Sequence, residues 1–520
     1  MRIFAARNTL FIKCMKDTES LRKLMELDAS MNISDIENRF REIAEQLFRH
    51  FAIQQGEKIY LFKEIEFYFY NQHHSDIITH PRVSEPLRWY VNDFGGIDLN
   101  FASRIEYDKA SKKFILDDNA FFGGILLRKL ISEEGSENLN GPWACAELFR
   151  WHDAIGSDPT FPKLVEHDNG EVGFIKNKRT KLLPGSNTVE SVKKKVDYIL
   201  SLYKEHPAKE GFYQGFTTFF DKPYQYMRCD TLMHDRETTE VYFSPWLKDE
   251  KYGFPEIYKQ LTDLLIKIGV VPKELNSTED YWARDYMPIQ LGRNEFLRYR
   301  YYPDYLVKSK DPEDKKTISD VSKVLRGLGI PCRTTKLIID GGNMVPCGQY
   351  IVMTDKVFTE NGRDKGDADF KTLLESELGH PVIIIPWEPY ADDEFGHADG
   401  FIKWCGGNRI LMGNHGDINP PEAAAIREKL ESHGFEVTEM RFNGRVSSPS
   451  TDLNWAYINF LQVGRNIIMP IFKIEEDEIA RQFIHDAFPD CTIYQIEMTE
   501  IARKGGALHC ISWNILPPAL

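Results

Sequence analysis

The sequence predicts an α/β fold for its second half, a five-bladed α/β propeller over residues 236–520, with a separate mixed α+β domain at 1–235. Three observations predict it. A polar stretch from Met227 to Thr239 marks a change of composition, and a strand–helix–strand pattern begins at Glu240. That pattern recurs five times. Each unit ends on a polar residue, and these ends (Asp285, Asp340, His397, Asn459 and Cys510) are spaced at roughly 50–60 residues, a repeat period. Five such units stacked around an axis bring the five ends into one polar pocket.

The 520 residues argue for two or three domains. Hydrophobic residues make up 42%, enough to fill a core, and the net charge is -14. That balance argues against a general nucleic-acid or membrane-surface binder and favours a cationic ligand. The 8 cysteines form no C-x-x-C pair, so neither a zinc ribbon nor a disulfide framework is expected. No segment has the apolar length of a transmembrane helix. The first twenty residues break short apolar pieces with Arg2, Arg7, Lys13 and Lys16, so no signal peptide is read and a reducing cytoplasm is expected. No metal or cofactor is expected.

In the first domain, Phe40, Ile43, Leu47 and Phe51 recur at helical spacing, predicting a helix over 33–51 capped by Ser34 or Asp35. Alternation from Ile59 to Tyr70 predicts a strand with Glu64 and Glu66 on one face, read as a solvated face. Gly123–Arg128 reads as a buried strand, and Asn140-Gly141-Pro142-Trp143 as a turn into a helix. Lys176–Lys181 reads as a basic loop and Ser191–Tyr203 as a helix. Glu66-Phe67-Tyr68, Ile125-Leu126-Leu127-Arg128 and Asn140-Gly141-Pro142 faintly resemble the methylpurine-DNA glycosylases, which implies a fold relation. In that family the Glu activates water and the Tyr stacks on a flipped base. The aromatic-rich intercalating segment of those proteins is not found, and the domain is slightly acidic, so a nucleic-acid partner is not expected.

In the second domain the five units open on strands at Val241–Phe243, Phe296–Tyr302, Tyr350–Met353, Arg409–Met412 and Ile467–Met469. Their helices run over 255–268, 318–328, 368–378, 420–433 and 477–488. The units are expected to close on strands that carry the polar ends.

A lone cysteine reads first as a small buried hydrophobe. Here the shared period puts Cys510 among Asp285, Asp340, His397 and Asn459. Gly505 and Gly506 let the chain approach a ligand closely. His397 and Asp399, two apart on an apparent strand, face the same side. His509 adjoins Cys510, and Arg284 adjoins Asp285, so both point away from the pocket. Carboxylates without a metal-ligand cluster suit a planar guanidinium, whose N–H fork they bind in bidentate fashion. Carboxylates alone raise a thiol pKa; a bound cation and a protonated His397 reverse this. The thiolate then attacks the guanidinium carbon, with His397 as acid and then base.

Trp282-Ala283-Arg284-Asp285-Tyr286-Met287-Pro288, Asp340-Gly341-Gly342-Asn343, Gly396-His397-Ala398-Asp399-Gly400, Tyr457-Ile458-Asn459-Phe460 and Gly505-Gly506-Ala507-Leu508-His509-Cys510-Ile511 occur in one order. In these pieces residues 236–520 resemble the agmatine deiminase and bacterial-type peptidyl-arginine deiminase family of the guanidine-modifying (pentein) superfamily. The resemblance implies Cys510 as nucleophile and His397 as general acid/base. It also implies that Asp285 and Asp399 grip the guanidinium, with Asn459, Asp340 and Trp282 as further substrate contacts. The family usually has Glu at Asp340 and Thr-Gln-Gln where this chain has Ser512-Trp513-Asn514, and ordinary agmatine deiminases lack the long first half. The expected reaction is hydrolysis of a small guanidine or arginine side chain to a urea-type product and ammonia. The alternatives are an amidinotransferase on the same fold and a non-catalytic binder of cationic ligands.

Overall fold

The computed structural model describes residues 18–135, 137–150, 160–170, 172–179, 189–205, 218–219, 222–388, 395–442 and 453–518. The chain divides into two compact units between Asp230 and Thr231.

The first unit is built on a ten-stranded sheet. Its two longest strands, Lys58–Asn71 and Phe122–Ser132, pair antiparallel, with Glu66 opposite Leu126 and Tyr68 opposite Gly124. The helix Ile33–His50 lays Ile36, Phe40, Ile43 and Leu47 on this sheet, and Phe40 stacks on Phe67 at 4.5 Å between ring centroids. Its cap is Asn32, not Ser34 or Asp35: the Asn32 side chain accepts from the Asp35 backbone N–H at 3.1 Å. Helices follow at Pro142–Arg150 and Val189–Ser201.

Two readings of this unit are corrected. Glu66 is not on a solvated face but is fully buried. The Tyr68 hydroxyl donates to its Oε2 at 2.8 Å, and Arg128 Nε lies 3.6 Å from its Oε1. The second face of the strand is covered, so alternation marks two buried faces and not an inside and an outside. The basic stretch is not wholly a loop. Lys176 lies in the strand Gly173–Asn177, and Arg179 is buried with both terminal nitrogens on Asp76, at 2.7 and 3.0 Å. Residues 180–181 of that stretch lie outside the described residues.

The second unit holds five three-stranded sheets. In each, a central strand pairs antiparallel on one side and parallel on the other. The central strands are Glu240–Phe243, Glu295–Arg300, Tyr350–Thr354, Arg409–Met412 and Asn466–Ile471. After each comes a helix: Pro255–Lys267, Val321–Leu328, Ala368–Leu378, Pro420–Glu431 and Glu476–Ala487. The helix returns the chain to a parallel third strand, as a parallel pair requires.

The strand–helix–strand unit was one strand short. A short antiparallel strand precedes four of the central strands: Ile289–Gly292, Val345–Cys347, Ile402–Gly406 and Leu461–Val463. For the first sheet that strand is Ser512–Ile515, from the far end of the chain. The polar unit ends therefore do not lie on closing strands. They lie in the tight connections between one sheet and the next. Asp285 sits in the short helix Ala283–Tyr286, Asp340 caps the turn Gly341–Asn343, and His397 caps the turn Ala398–Gly400. Asn459 ends the turn Asn454–Ile458, and Cys510 precedes Ser512–Ile515. The short extra strands carry only three to five residues, too few to show a period.

Among the described residues no helix is long and apolar enough to cross a membrane.

The Ser512–Ile515 strand joins the end of this unit to its beginning, and Trp513 at its centre is 1% exposed, its indole N–H donating to the Pro288 carbonyl at 2.8 Å. Trp513→Ala removes a fully buried ring and is expected to destabilise the unit by about 3–5 kcal/mol. Chemical denaturation of the full chain, followed by circular dichroism, measures this.

Candidate active site

The connections between the sheets touch in series. The Ala283–Tyr286 helix meets the Gly341–Asn343 turn, which meets Ala398–Gly400, which meets Asn454–Ile458. At their meeting point lies Gly342. A Cβ built there would stand 2.7 Å from Asp285 Oδ1, 2.7 Å from His397 Nδ1 and 3.2 Å from Asp399 Oδ1. The absent side chain is thus the space in which three ionisable groups face one another. Gly342 was part of a quoted motif but carried no assignment, and its signal was the Gly341-Gly342 pair.

His397 Nε2 lies 3.0 Å from Asp340 Oδ2, and its Nδ1 lies 3.4 Å from Asp285 Oδ1. Burial works against the imidazolium, but Asp285 and Asp340 outweigh it and push the His397 pKa up to about 9. Asp285 is pushed up to about 7, mainly by burial, with His397 opposing. Its Oδ1 also accepts from the Gly342 backbone N–H at 3.1 Å. The Tyr299 hydroxyl fixes the connection by bonding the Asp285 and Met287 carbonyls at 2.9 and 2.7 Å.

Asp399 divides its two oxygens. Oδ1 is buried and has no hydrogen-bond partner among the described residues, and the same holds for Asp340 Oδ1. Oδ2 lies 2.6 Å from His509 Nδ1 and 3.7 Å from Cys510 Sγ. Burial alone would raise the Asp399 carboxyl; the His509 hydrogen bond and nearby positive groups overcome it and hold the pKa below the ordinary value. Cys510 goes the other way. Burial, then Asp399 and Asp285, push its thiol well above the ordinary range. Burial and the neighbouring carboxylates thus both favour the Cys510 thiol over its thiolate.

The sequence reading placed His397 and Asp399 on one strand. The structure places them in a one-turn 3-10 segment. They still serve one site, because the turn is held at both ends. The Asn343 side chain accepts from the backbone N–H groups of Thr354 and Ala398 at 2.8 and 3.3 Å, and Thr354 Oγ1 donates to the Gly396 carbonyl at 2.6 Å. Neither Asn343 nor Thr354 was singled out, since a brace to backbone leaves no charge pattern in the sequence.

Among the described residues the Asn459 side chain bonds to backbone groups. Its Oδ1 accepts from the backbone N–H groups of Ala507 and Cys510 at 3.1 and 3.2 Å, and its Nδ2 donates to the Asp399 carbonyl at 3.4 Å. The amide thus shapes the loop that presents Cys510. Asp340 likewise bonds to His397, with Oδ1 left over. Trp282 closes on the same loop: a Cβ on Gly506 would lie 2.2 Å from its ring and 3.1 Å from Cys510 Cβ. Gly505 has φ +90° and lies against Phe395, whose ring is 6.2 Å from that of His397. Arg284 turns away, as expected, toward Asn514 and the His509 carbonyl. The segment 303–312 brings the Tyr305 ring to 6.2 Å from that of His397.

Residues 250–516, just over half of the chain, match the family of Porphyromonas-type peptidyl-arginine deiminases. The chain belongs to that family. Among curated proteins it is 24% identical over 282 residues to the agmatine deiminase of Ectopseudomonas mendocina, covering 45% of this chain and 74% of that protein. It is 23% identical over 282 residues to the agmatine deiminase of Pseudomonas aeruginosa strain LESB58, with the same coverage. The solved agmatine deiminase of C. jejuni superposes with a TM-score of 0.47 at 17% identity, covering 56% of this chain and 97% of that one. Family membership makes the chain a deiminase, an enzyme that hydrolyses a guanidino group.

The methyl of Gly342→Ala would occupy the space between Asp285, His397 and Asp399. Displacing groups that must hold a substrate in register is expected to lower turnover by about 100-fold or more. Thermal unfolding should report only the cost of overpacking, about 1–3 kcal/mol.

Proposed function

We propose that residues 231–520 form a five-bladed α/β propeller of the pentein type, whose axial pocket hydrolyses the guanidine group of agmatine or of an arginine derivative. Five like sheets in sequence, the last strand closing the first sheet, support the architecture. The reaction rests above all on one observation: among the described residues the buried carboxylate oxygens Asp340 Oδ1 and Asp399 Oδ1 have no hydrogen-bond partner, and Asp399 Oδ1 stands with Asp285 and His397 around Gly342, close to the buried Cys510. A planar cation with a fork of N–H donors satisfies those oxygens and offsets their burial.

In this reading Asp285 and Asp399 grip the guanidinium. Asp340 orients His397, and Asn459 with Trp282 shapes the loop of the nucleophile. The bound cation and the His397 imidazolium lower the Cys510 pKa, the thiol gives its proton to solvent, and the resulting thiolate forms a bond to the guanidinium carbon. His397 gives its proton to the leaving nitrogen as the C–N bond breaks, releasing ammonia. Neutral His397 then takes a proton from water, which attacks the same carbon. The C–S bond breaks, freeing Cys510 and a urea-type product. Names among the relatives favour agmatine as the substrate, and the family description favours an arginine side chain. An ammonia assay across agmatine, free arginine and peptidyl-arginine separates these. Ammonia released with no amine acceptor present separates hydrolysis from amidino transfer.

Cys510→Ala is expected to abolish ammonia release while retaining substrate binding, measured by calorimetric titration. Turnover by this variant would remove the covalent route.

Asp285→Asn should weaken binding of a charged guanidine by about 1.5–3 kcal/mol, the usual size of a hydrogen bond to a charged group. A neutral urea analogue should lose much less. Equal losses for both ligands would assign Asp285 to folding.

The pH dependence follows from the opposite charges of Asp285 and His397. Asp285 becomes an anion as pH rises through about 7, and His397 loses its proton as pH rises through about 9. The anion and imidazolium coexist between those values. A bell-shaped kcat/KM profile is expected there, with limbs that belong to the coupled Asp285–His397–Cys510 group and not to single residues. His397→Gln should remove the bell and most of the rate.

A further inference from the structure

His509 has no part in the chemistry above, yet its ring contacts the carboxylate that faces both substrate and nucleophile. It is buried, and its Nδ1 lies 2.6 Å from Asp399 Oδ2. The same oxygen is 3.7 Å from Cys510 Sγ. Behind the ring lies a second pocket, lined by Asp235, Arg284, Lys403, Trp404 and Asn514, that reaches Asp399 but not Cys510, His397 or Asp285. Asp235 is the carboxylate of that pocket. It pairs with Lys403 at 2.7 Å, accepts from Asn514 Nδ2 at 3.0 Å and lies 3.9 Å from His509 Nε2.

We infer that His509 is a positioning residue: its neutral imidazole donates from Nδ1 to Asp399 Oδ2, which keeps that oxygen from holding the Cys510 thiol proton and turns Oδ1 toward the guanidinium. Three features carry this. An oxygen that accepts a bond from an imidazole N–H is a weaker acceptor for a thiol at 3.7 Å than a free carboxylate oxygen. The orphaned Oδ1 is the one beside Gly342, where Asp285 and His397 converge. The ring is also kept neutral: burial, then Arg284 and Lys403, push its pKa down to about 4. A neutral ring with Nδ1–H is a donor over the whole working range, unlike an imidazolium that would be lost with rising pH. The titratable and charged groups around Asp399 are His509 and Cys510 on its Oδ2 side, Asp285 and His397 on its Oδ1 side, and Arg284 beyond His509. Of these, two bond to Oδ2: His509 Nδ1 at 2.6 Å and the more distant Cys510 thiol at 3.7 Å.

The inference rests on Cys510 as the nucleophile, so its test reads the thiol directly. The full chain is treated with iodoacetamide over a range of pH, and alkylation of Cys510 is followed by mass spectrometry. An asparagine amide nitrogen can take the place of Nδ1, whereas a glutamine reaches toward the place of Nε2. His509→Asn is therefore expected to keep the wild-type alkylation profile. His509→Gln and His509→Ala should move the profile to higher pH and slow alkylation near neutrality at least tenfold, with KM for the guanidine raised as well. Should the alanine variant fail to fold, the Asn–Gln pair still decides. Equal profiles for Asn and Gln, or an alanine profile like that of wild type, would overturn the inference. Failure of the nucleophile assignment appears separately, as ammonia release by Cys510→Ala, and failure of the hydrolytic reading as no ammonia release by the wild-type chain without an amine acceptor.

Discussion

Asp285, His397 and Asp399 meet in a space that one methyl group on Gly342 would fill. Burial of three ionisable groups is costly unless each charge is compensated. Here compensation is incomplete by design of the geometry. Asp340 and Asp285 hold a proton on His397, yet among the described residues one carboxylate oxygen of Asp340 and one of Asp399 have no hydrogen-bond partner. Burial, then Asp399 and Asp285, raise the Cys510 thiol pKa in the same place. Substrate binding and activation of the nucleophile then become one electrostatic event, since the same cation satisfies the carboxylates and stabilises the thiolate.

Such a site requires backbone that holds it against this cost. Each functional residue lies in a tight connection between a parallel third strand and the first strand of the next sheet. A connection pinned by strands at both ends has little freedom to swing a buried charge away. The polar braces are side chain to backbone: Asn343 on Thr354 and Ala398, Tyr299 on Asp285 and Met287, Asn459 on Ala507 and Cys510. They pay no charge into the pocket, so they fix position without disturbing its electrostatics. The Ser512–Ile515 strand, which follows Cys510 immediately, joins the first sheet and so ties the nucleophile to the start of the unit.

The first unit follows a different plan. Arg179 and Asp76 form a bidentate pair with no exposed side-chain surface, and Glu66 is buried against Tyr68 and Arg128. Glu66 stands opposite Leu126 on the neighbouring strand, and Lys129 of that strand pairs with Asn140 just before the Pro142–Arg150 helix. A buried ion pair of this kind is weak support for stability and stronger support for a unique arrangement of the strands it joins.

The sequence by itself determined the order of the central strands and helices in the second unit. The five helices start and stop within a few residues of the expected bounds, because apolar residues recur along each at helical spacing. The repeat period also picked out Asp285, Asp340, His397, Asn459 and Cys510, and spacing from His397 picked out Asp399. Only the tertiary structure decided what these residues touch. The short first strand of each sheet, the Asn32 cap, the burial of Glu66 and the partners of Asn459 depend on contacts between segments up to hundreds of residues apart. His509 is the clearest case. Alternation along the chain points it away from the pocket, whereas the structure sets its Nδ1 on Asp399 Oδ2, the same oxygen that Cys510 Sγ faces, through a bond across 110 positions. Hydrogen bonding and desolvation act through space, and residue order records them only where a local period happens to coincide with the fold.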